Sequence, residues 1–559
     1  MSSPQMGDDK KRRYDRQLRI WGEHGQAALE SCRVCVLGGG PTATEALKNL
    51  VLGGIASYTV VDDRTVQASD LGNNFMVEAK DLGSSRARSV SGTLNELNET
   101  VHGAFVEESA ATLIREKPSF FSGFDLVIAT QLPESLAVAL DEVCRELRVK
   151  LVVARSYGLV GFLRVSVAEH CVIESKPENT LDDLRLGNPW PQLAEFVEGF
   201  DMEAADEMTR KHIPFAVILA KHAAAWRAAH GGALPSTSAE RAAFKQSLRD
   251  AQRGFDEENY KEALAAAHKV WAVPSLGADV RALLEDDEAT ALACGNTGAG
   301  VALASASASA ASREREQFWA LVAGLRAFVA GEGAGLLPLP GSLPDMTSTT
   351  DFYLALQRVF QQKAEEDAAA VEAHVNRALA AMGRPVGSVS LAAVRHFCKN
   401  AANLHMRRYR SLKEEYALAE GLGELLAAEV DAAAATDASL YLLLRACDRF
   451  EAMRGHFPGA LDSSSTSDHH HLEDDTARLK GLLATLLSEY GAPGATISDD
   501  LVAEMCRFGA AELHCVASVV GGMAAQEAIK VVTAQFVPLN GALIYNAVAS
   551  SSAVLFPSK

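Results

Sequence analysis

Val34-Cys35-Val36-Leu37, an unbroken apolar run entered from Arg33, stops at Gly38-Gly39-Gly40, and apolar residues then return at helical spacing through 44–52. So short and wholly apolar a run predicts a strand buried on both faces, and the change to a 3.6-residue period predicts a helix after the turn. Residues 58–61 read as a second strand closed by Asp62, and runs at 124–129 and 151–154 add more strands between helix-length segments. The first 170 residues therefore predict a Rossmann-like, mostly parallel α/β sheet. From about residue 174 strand-like runs become scarce, and long Ala-, Leu- and Glu-rich stretches such as 360–382 carry helical period. Strand patterning returns after a helix at 521–530, with apolar runs at 536–539 and 542–545. The pattern predicts one α/β domain in two pieces, 1–170 and 491–559, split by a helical insertion at 171–490. Two low-complexity stretches, 295–312 and 463–471, the second ending in three histidines, read as mobile surface loops.

Composition narrows the function classes. A chain of 559 residues with 48% hydrophobic content can fill more than one core, since single cores stop growing near ~250–300 residues. Its net charge of −19 opposes phosphate backbones and anionic membrane surfaces, so neither nucleic acid nor a membrane is an expected partner. The polar N-terminus has no apolar signal core, and no later stretch reaches the ~18 uninterrupted apolar residues of a span, which predicts a soluble protein. Nine cysteines are scattered without a disulfide framework or paired metal spacing. Buried, reduced thiols, no bound metal, and a cytoplasmic and nuclear location are expected.

Candidate chemistry begins at the glycine turn. Gly38-x-Gly40-x-x-Ala43 fits the loose dinucleotide fingerprint, and Asp62, 22 residues past Gly40, stands near where an acid would hold a ribose hydroxyl. Such turns bind phosphate through backbone NH groups and the helix dipole. Pro41 removes one NH and Ala43 adds a methyl, so the turn reads as weakened for nucleotide, or as a plain strand-to-helix connection.

The segment Tyr14-Asp15-Arg16-Gln17-Leu18-Arg19-Ile20-Trp21-Gly22 resembles the opening of enzymes that adenylate ubiquitin and its relatives. Asn73-Asn74-Phe75, Asp81-Leu82-Gly83 and the helix from Gly521 continue the likeness in order and spacing. Gln131-Leu132-Pro133-Glu134-Ser135, Ser156-Tyr157-Gly158 and Phe508-Gly509-Ala510-Ala511-Glu512 resemble, within that superfamily, the regulatory, non-catalytic subunits of heterodimeric neddylation-activating (Rub-activating) enzymes. The likeness runs from about Arg12 to Phe556.

The resemblance implies a degenerate adenylation domain. Aligned to active relatives, Pro41 and Ala43 stand for glycines, Asp70 for an asparagine, Asn73 for an arginine, and Leu132 falls near the Mg²⁺-binding aspartate. Leu132 coordinates nothing, whereas Asp62 and Arg86 keep an acid and a cation where residual nucleotide contact would need them. No Cys-Thr segment of the kind that accepts the modifier as a thioester is present. Cys171, Cys294, Cys398 and Cys447 read as structural. ATP and Mg²⁺ are expected in a catalytic partner subunit, and the ubiquitin-like cullin modifier as a further partner. Arg16 is expected to reach partner-bound ATP in trans, with Arg19, three residues on along the same helical face, in support. Leu18, Ile20 and Trp21 are candidate interface or core anchors, with Leu18 and Trp21 singled out for the interface and core packing the commoner fate of such residues. The competing readings are an NAD- or FAD-dependent oxidoreductase on the Gly38/Gly40/Asp62 pattern, and a pure scaffold on a dead fold.

Overall fold

Along the first strand Cys35 and Leu37 join the core on one side of a sheet, and Val34 and Val36 join the core on the other. The computed structural model describes residues 10–177, 182–272, 275–293, 310–417, 435–460 and 468–557, with Gly423, Leu426 and Val430 between. Six strands come from the N-terminal part: β1 (Arg33–Leu37), β2 (Ser57–Val61), β3 (His102–Val106), β4 (Leu126–Thr130), β5 (Lys150–Tyr157) and β6 (Val160–Ser166). Their order is β3-β2-β1-β4-β5-β6, followed by the C-terminal strands Ala542–Asn546 and Ser551–Leu555. β1 to β5 pair in parallel, and the last three strands run antiparallel. The mostly parallel α/β expectation holds. Parallel strands need both faces covered, and the same alternation recurs in β4, where Leu126 and Ile128 face one core and Val127 and Ala129 the other. Strand order reverses between β2-β1 and β4, so the turn after β1 lies at the switch point where open α/β sheets bind ligands.

Helix Asp15–Ser31 is interrupted at Gly22, whose φ of 69° and ψ of 179° break the helical run. Helix His514–Thr533 packs on helix Pro41–Gly53. It is long and apolar enough to cross a membrane by length and composition, yet Val516, Val520, Ala524 and Ala528 are buried in the sheet's own core. The apolar run at 536–539 forms no strand. There the backbone carries a positive φ at Phe536, and Leu539 N donates to the Glu527 carboxylate instead of a ladder.

The chain divides into two units, one of residues 1–172 with 406–559 and one of 173–405. This moves the end of the insertion from 490 back to 405. The reason is packing: helices Asp437–Arg454 and Asp468–Glu489 bury Leu440, Leu443, Phe450, Leu483 and Leu486 in the core that Leu37, Leu140 and Leu151 line. Helical period in sequence does not say which core a helix joins. The second unit is all-helical in its core, where Trp190, Phe215, Leu219, Phe244 and Phe360 meet. Helix Thr350–Ala381 there matches the predicted helical run. Of the two low-complexity stretches, 295–309 and 463–467 lie outside the described residues. Residues 310–312 begin helix Ala310–Ala330 and 468–471 begin helix Asp468–Glu489, so these ends are helical and not loop.

Ionic links tie helix Asp437–Arg454 to the sheet. Asp448 pairs with Arg155 of β5 at 2.5 Å, both buried. Burial pushes the Asp448 carboxyl up to about 6, against the pull of Arg155 and Arg445 and with help from Glu134. An acid at about 6 when folded and near 3.8 when free binds a proton on folding between those values, so it makes stability decline as pH rises from about 4 to 6. Asp448→Asn is expected to remove that contribution, and denaturant midpoints of variant and parent across pH 4 to 7 would show the difference. Midpoints that run parallel over the whole range would refute the assignment.

Candidate functional site

Gly38 closes β1 with φ +100°, and a side chain there would meet Thr130 Oγ1 at 2.6 Å. Gly40 follows in extended conformation as the residue before helix Pro41–Gly53, with Pro41 in the first helical turn, where a missing NH costs no intrahelical bond. This is the predicted strand-turn-helix unit, at the sheet's ligand-binding edge.

Its polar groups are engaged with one another. Asp62 Oδ2 accepts from Gly39 N at 2.7 Å and from Arg86 Nε and Nη2 at 2.8 and 2.6 Å. Its other oxygen accepts from Arg64 N at 2.9 Å. Arg86 Nη1 donates to Asp70 Oδ1 at 3.2 Å. All three of Asp62, Arg86 and Asp70 are buried. Burial works against both charges of the Asp62–Arg86 pair, and their mutual attraction outweighs it. The Asp62 carboxyl is held below its ordinary range and the Arg86 guanidinium above its own. The sequence-predicted acid and cation do come together, but they bond to each other.

Three further residues complete the turn. Asn74 Nδ2 donates to Gly39 O at 2.8 Å, and Thr44 Oγ1 donates to Asn74 Oδ1 at 3.2 Å. Glu512 Oε2 accepts from Thr42 N at 3.0 Å, at the start of the helix. Burial raises the Glu512 carboxyl pKa, while the Thr42 hydrogen bonds and Arg86 pull it down. The sequence singles out Glu512 only within the Phe508-Gly509-Ala510-Ala511-Glu512 likeness and gives it no role, because 470 residues separate it from Thr42 and no spacing rule bridges them. Asn74 carried a signal in the Asn73-Asn74-Phe75 phrase, though not its hydrogen-bonding role. Where a Mg²⁺-binding aspartate is expected, Leu132 packs against the core beside β4, and Gln131 exchanges hydrogen bonds with the Ser156 backbone at 2.6 and 2.9 Å. The residues present do not fit a magnesium-nucleotide site.

The N-terminal helix divides its candidates. Arg16 is exposed and makes no ion pair among the described residues, whereas Arg19 is held by Asp15 at 2.9 Å. Leu18 is half-buried. Trp21 is not an interface anchor. It is buried among Leu29, Leu50 and Ile55, and its Nε1 donates to Gln26 Oε1 at 3.1 Å. An indole with so large an apolar area is taken by the nearest core. Tyr14, which opens the motif, is also structural: its hydroxyl receives Asn98 Nδ2 at 3.1 Å, and Gly54 leaves room for its ring.

Cys398 and Cys447, two of the insertion-region thiols, have no activated setting. Both are buried, and burial pushes each up to about 12. Cys171 is half-buried, and Cys294 lies outside the described residues. Cys32 and Cys35 are buried free thiols. Of the eight described cysteines Cys515 alone is exposed. Brief iodoacetamide treatment of the native chain is therefore expected to alkylate Cys515 first among these, with Cys398 and Cys447 modified only on unfolding. Peptide mapping that finds Cys447 labelled as fast as Cys515 would contradict this burial pattern.

Comparison with known proteins adds a full-length likeness. Residues 14–555 match the ThiF family. Over 548 residues the chain is 46% identical to NEDD8-activating enzyme E1 regulatory subunit AXR1 of Arabidopsis thaliana, covering 98% of this chain and 96% of that protein. It is 40% identical over 550 residues to the NEDD8-activating enzyme E1 regulatory subunit of Xenopus laevis, covering 97% and 98% of the two chains. The counterpart from Gallus gallus is 39% identical over 559 residues, with 99% of each chain covered.

Proposed function

Since the chain belongs to the ThiF family, and within it to the NEDD8-activating enzyme E1 regulatory subunits, we propose that it works as the non-catalytic half of a heterodimer. Its partner is a catalytic subunit that holds ATP and Mg²⁺, adenylates the ubiquitin-like cullin modifier and accepts it as a thioester. The observation that carries the division of labour is the Asp62–Arg86–Asp70 cluster, in which the buried Arg86 guanidinium is taken up by two carboxylates of the chain itself. Leu132 in place of a metal ligand and the buried thiols support the same reading.

Arg16 is this chain's contribution to chemistry. A guanidinium stays charged at any working pH and presents several donors to phosphate oxygens, so an exposed one on a helix can act on a nucleotide bound to another subunit. Arg19, tied to Asp15, has a positioning role on the same helical segment. Leu18 remains the apolar candidate for the partner contact. The free thiols fit a reducing compartment, cytoplasm or nucleus.

The test is assembly followed by loading. Mixed with its catalytic subunit, the chain is expected to elute as a one-to-one complex by light scattering, and modifier thioester is expected on the partner's cysteine only. Thioester on this chain, or no complex, would refute the reading. The oxidoreductase alternative loses its support because Asp62, its ribose-binding acid, is consumed by Arg86 and Gly39.

A further inference from the structure

We infer that the Glu512 carboxylate is a built-in ligand of the glycine turn, occupying the place where the fold otherwise receives an anionic phosphate, so that the degenerate site is closed by the chain itself. At the start of helix Pro41–Gly53 the residue in the capping position is Gly40, which has no side chain to offer, and the positive end of the helix dipole favours an anion. Thr42 N donates to Glu512 Oε2 there at 3.0 Å.

Two glycines on separate elements make room for the strap that delivers Glu512. A side chain at Gly40 would come within 2.3 Å of Glu512 Oε1, and one at Gly158, in the turn between β5 and β6, within 2.2 Å of the Phe508 ring. Gly158 N also donates to Ala511 O at 2.8 Å. The strap from Phe508 to Glu512 is thus seated at both ends on positions that lack a Cβ. Glycines that in a nucleotide-binding turn admit a phosphate here admit a carboxylate. This goes beyond the loss of nucleotide-binding residues: the site is filled as well as altered, and it makes no use of any partner subunit.

Removing the carboxylate should uncover an anion site. The experiment follows the thermal midpoint of the full chain against inorganic pyrophosphate for the parent, Glu512→Ala and Glu512→Gln. Glu512→Ala is expected to melt lower and to regain stability saturably with pyrophosphate. The parent and Glu512→Gln, which keeps an acceptor of the same size, are expected to show only the common small salt effect. A second readout is amide exchange at Thr42. The parent and Glu512→Gln should protect it, and Glu512→Ala should lose about tenfold or more of that protection, as expected for one hydrogen bond to a charged acceptor. If Glu512→Ala does not fold, the Thr42 amide in the other two proteins decides. A pyrophosphate response in the parent equal to that of Glu512→Ala, no response in a folded Glu512→Ala, or an unprotected Thr42 amide in the parent would each overturn the inference.

Discussion

Arg16→Ala, assembled with the catalytic subunit, is expected to lower modifier-dependent pyrophosphate exchange at least about tenfold, a loss of ~1.4 kcal/mol or more of transition-state stabilisation. Arg16 is exposed and free of ion pairs among the described residues, so its removal should leave the chain's own stability within about 0.5 kcal/mol. That pairing of a large kinetic effect with a silent stability is the signature of a group that acts outside its own fold. Arg16→Lys should recover only part of the rate, since an ammonium lacks the planar fork of the guanidinium. Arg19→Ala should cost less, because the Asp15 pair already holds that side chain. An Arg16→Ala complex with parental exchange and unchanged assembly would leave this chain as a scaffold alone.

Glu415→Ala is expected to cost about 3–5 kcal/mol of stability in the sheet-containing unit. Arg164, on β6, and Glu415 are both completely buried, with Arg164 Nε donating to Glu415 Oε2 at 2.8 Å. Other guanidinium donors go to Val165 O at 2.5 Å and Arg410 O at 3.1 Å. Tyr441 adds a hydrogen bond to the other Glu415 oxygen at 3.3 Å. Removing the carboxylate leaves a cation in the interior with carbonyl partners only. The double variant Arg164→Met/Glu415→Leu should recover most of the loss, since a well-packed apolar pair often replaces a buried ion pair at little cost. Urea midpoints of the three proteins provide the check. A Glu415→Ala midpoint equal to the parent's would mean that the link does not hold the 406–416 segment to the sheet.

That segment also marks where sequence stops being informative. Strand β1, its glycine turn and the following helix are legible because burial on both faces forces a continuous apolar run, and the change of period is local. The return of residues 406–490 to the sheet rests on long-range packing in its core, joined by pairs such as Arg164–Glu415 and Arg155–Asp448, and no local period encodes either. The same holds at the site. Asp62 and Arg86 stand at positions that spacing and resemblance could find, but their bonding to each other is a matter of geometry. Glu512 is further still from local signals, reaching Thr42 from the far end of the chain. Trp21 shows the converse, a residue whose type fits an interface but whose neighbours claim it for the core.

The proposed role is a contribution to modifier activation without catalysis by this chain. Modifier-dependent exchange of pyrophosphate into ATP tests it most directly, run with the chain alone, with the catalytic subunit alone and with both. Background exchange is expected for this chain by itself, and full exchange only when the two subunits are combined. Robust exchange by this chain alone would contradict it, because a turn whose acid, cation and helix start are all engaged internally would then be binding ATP after all.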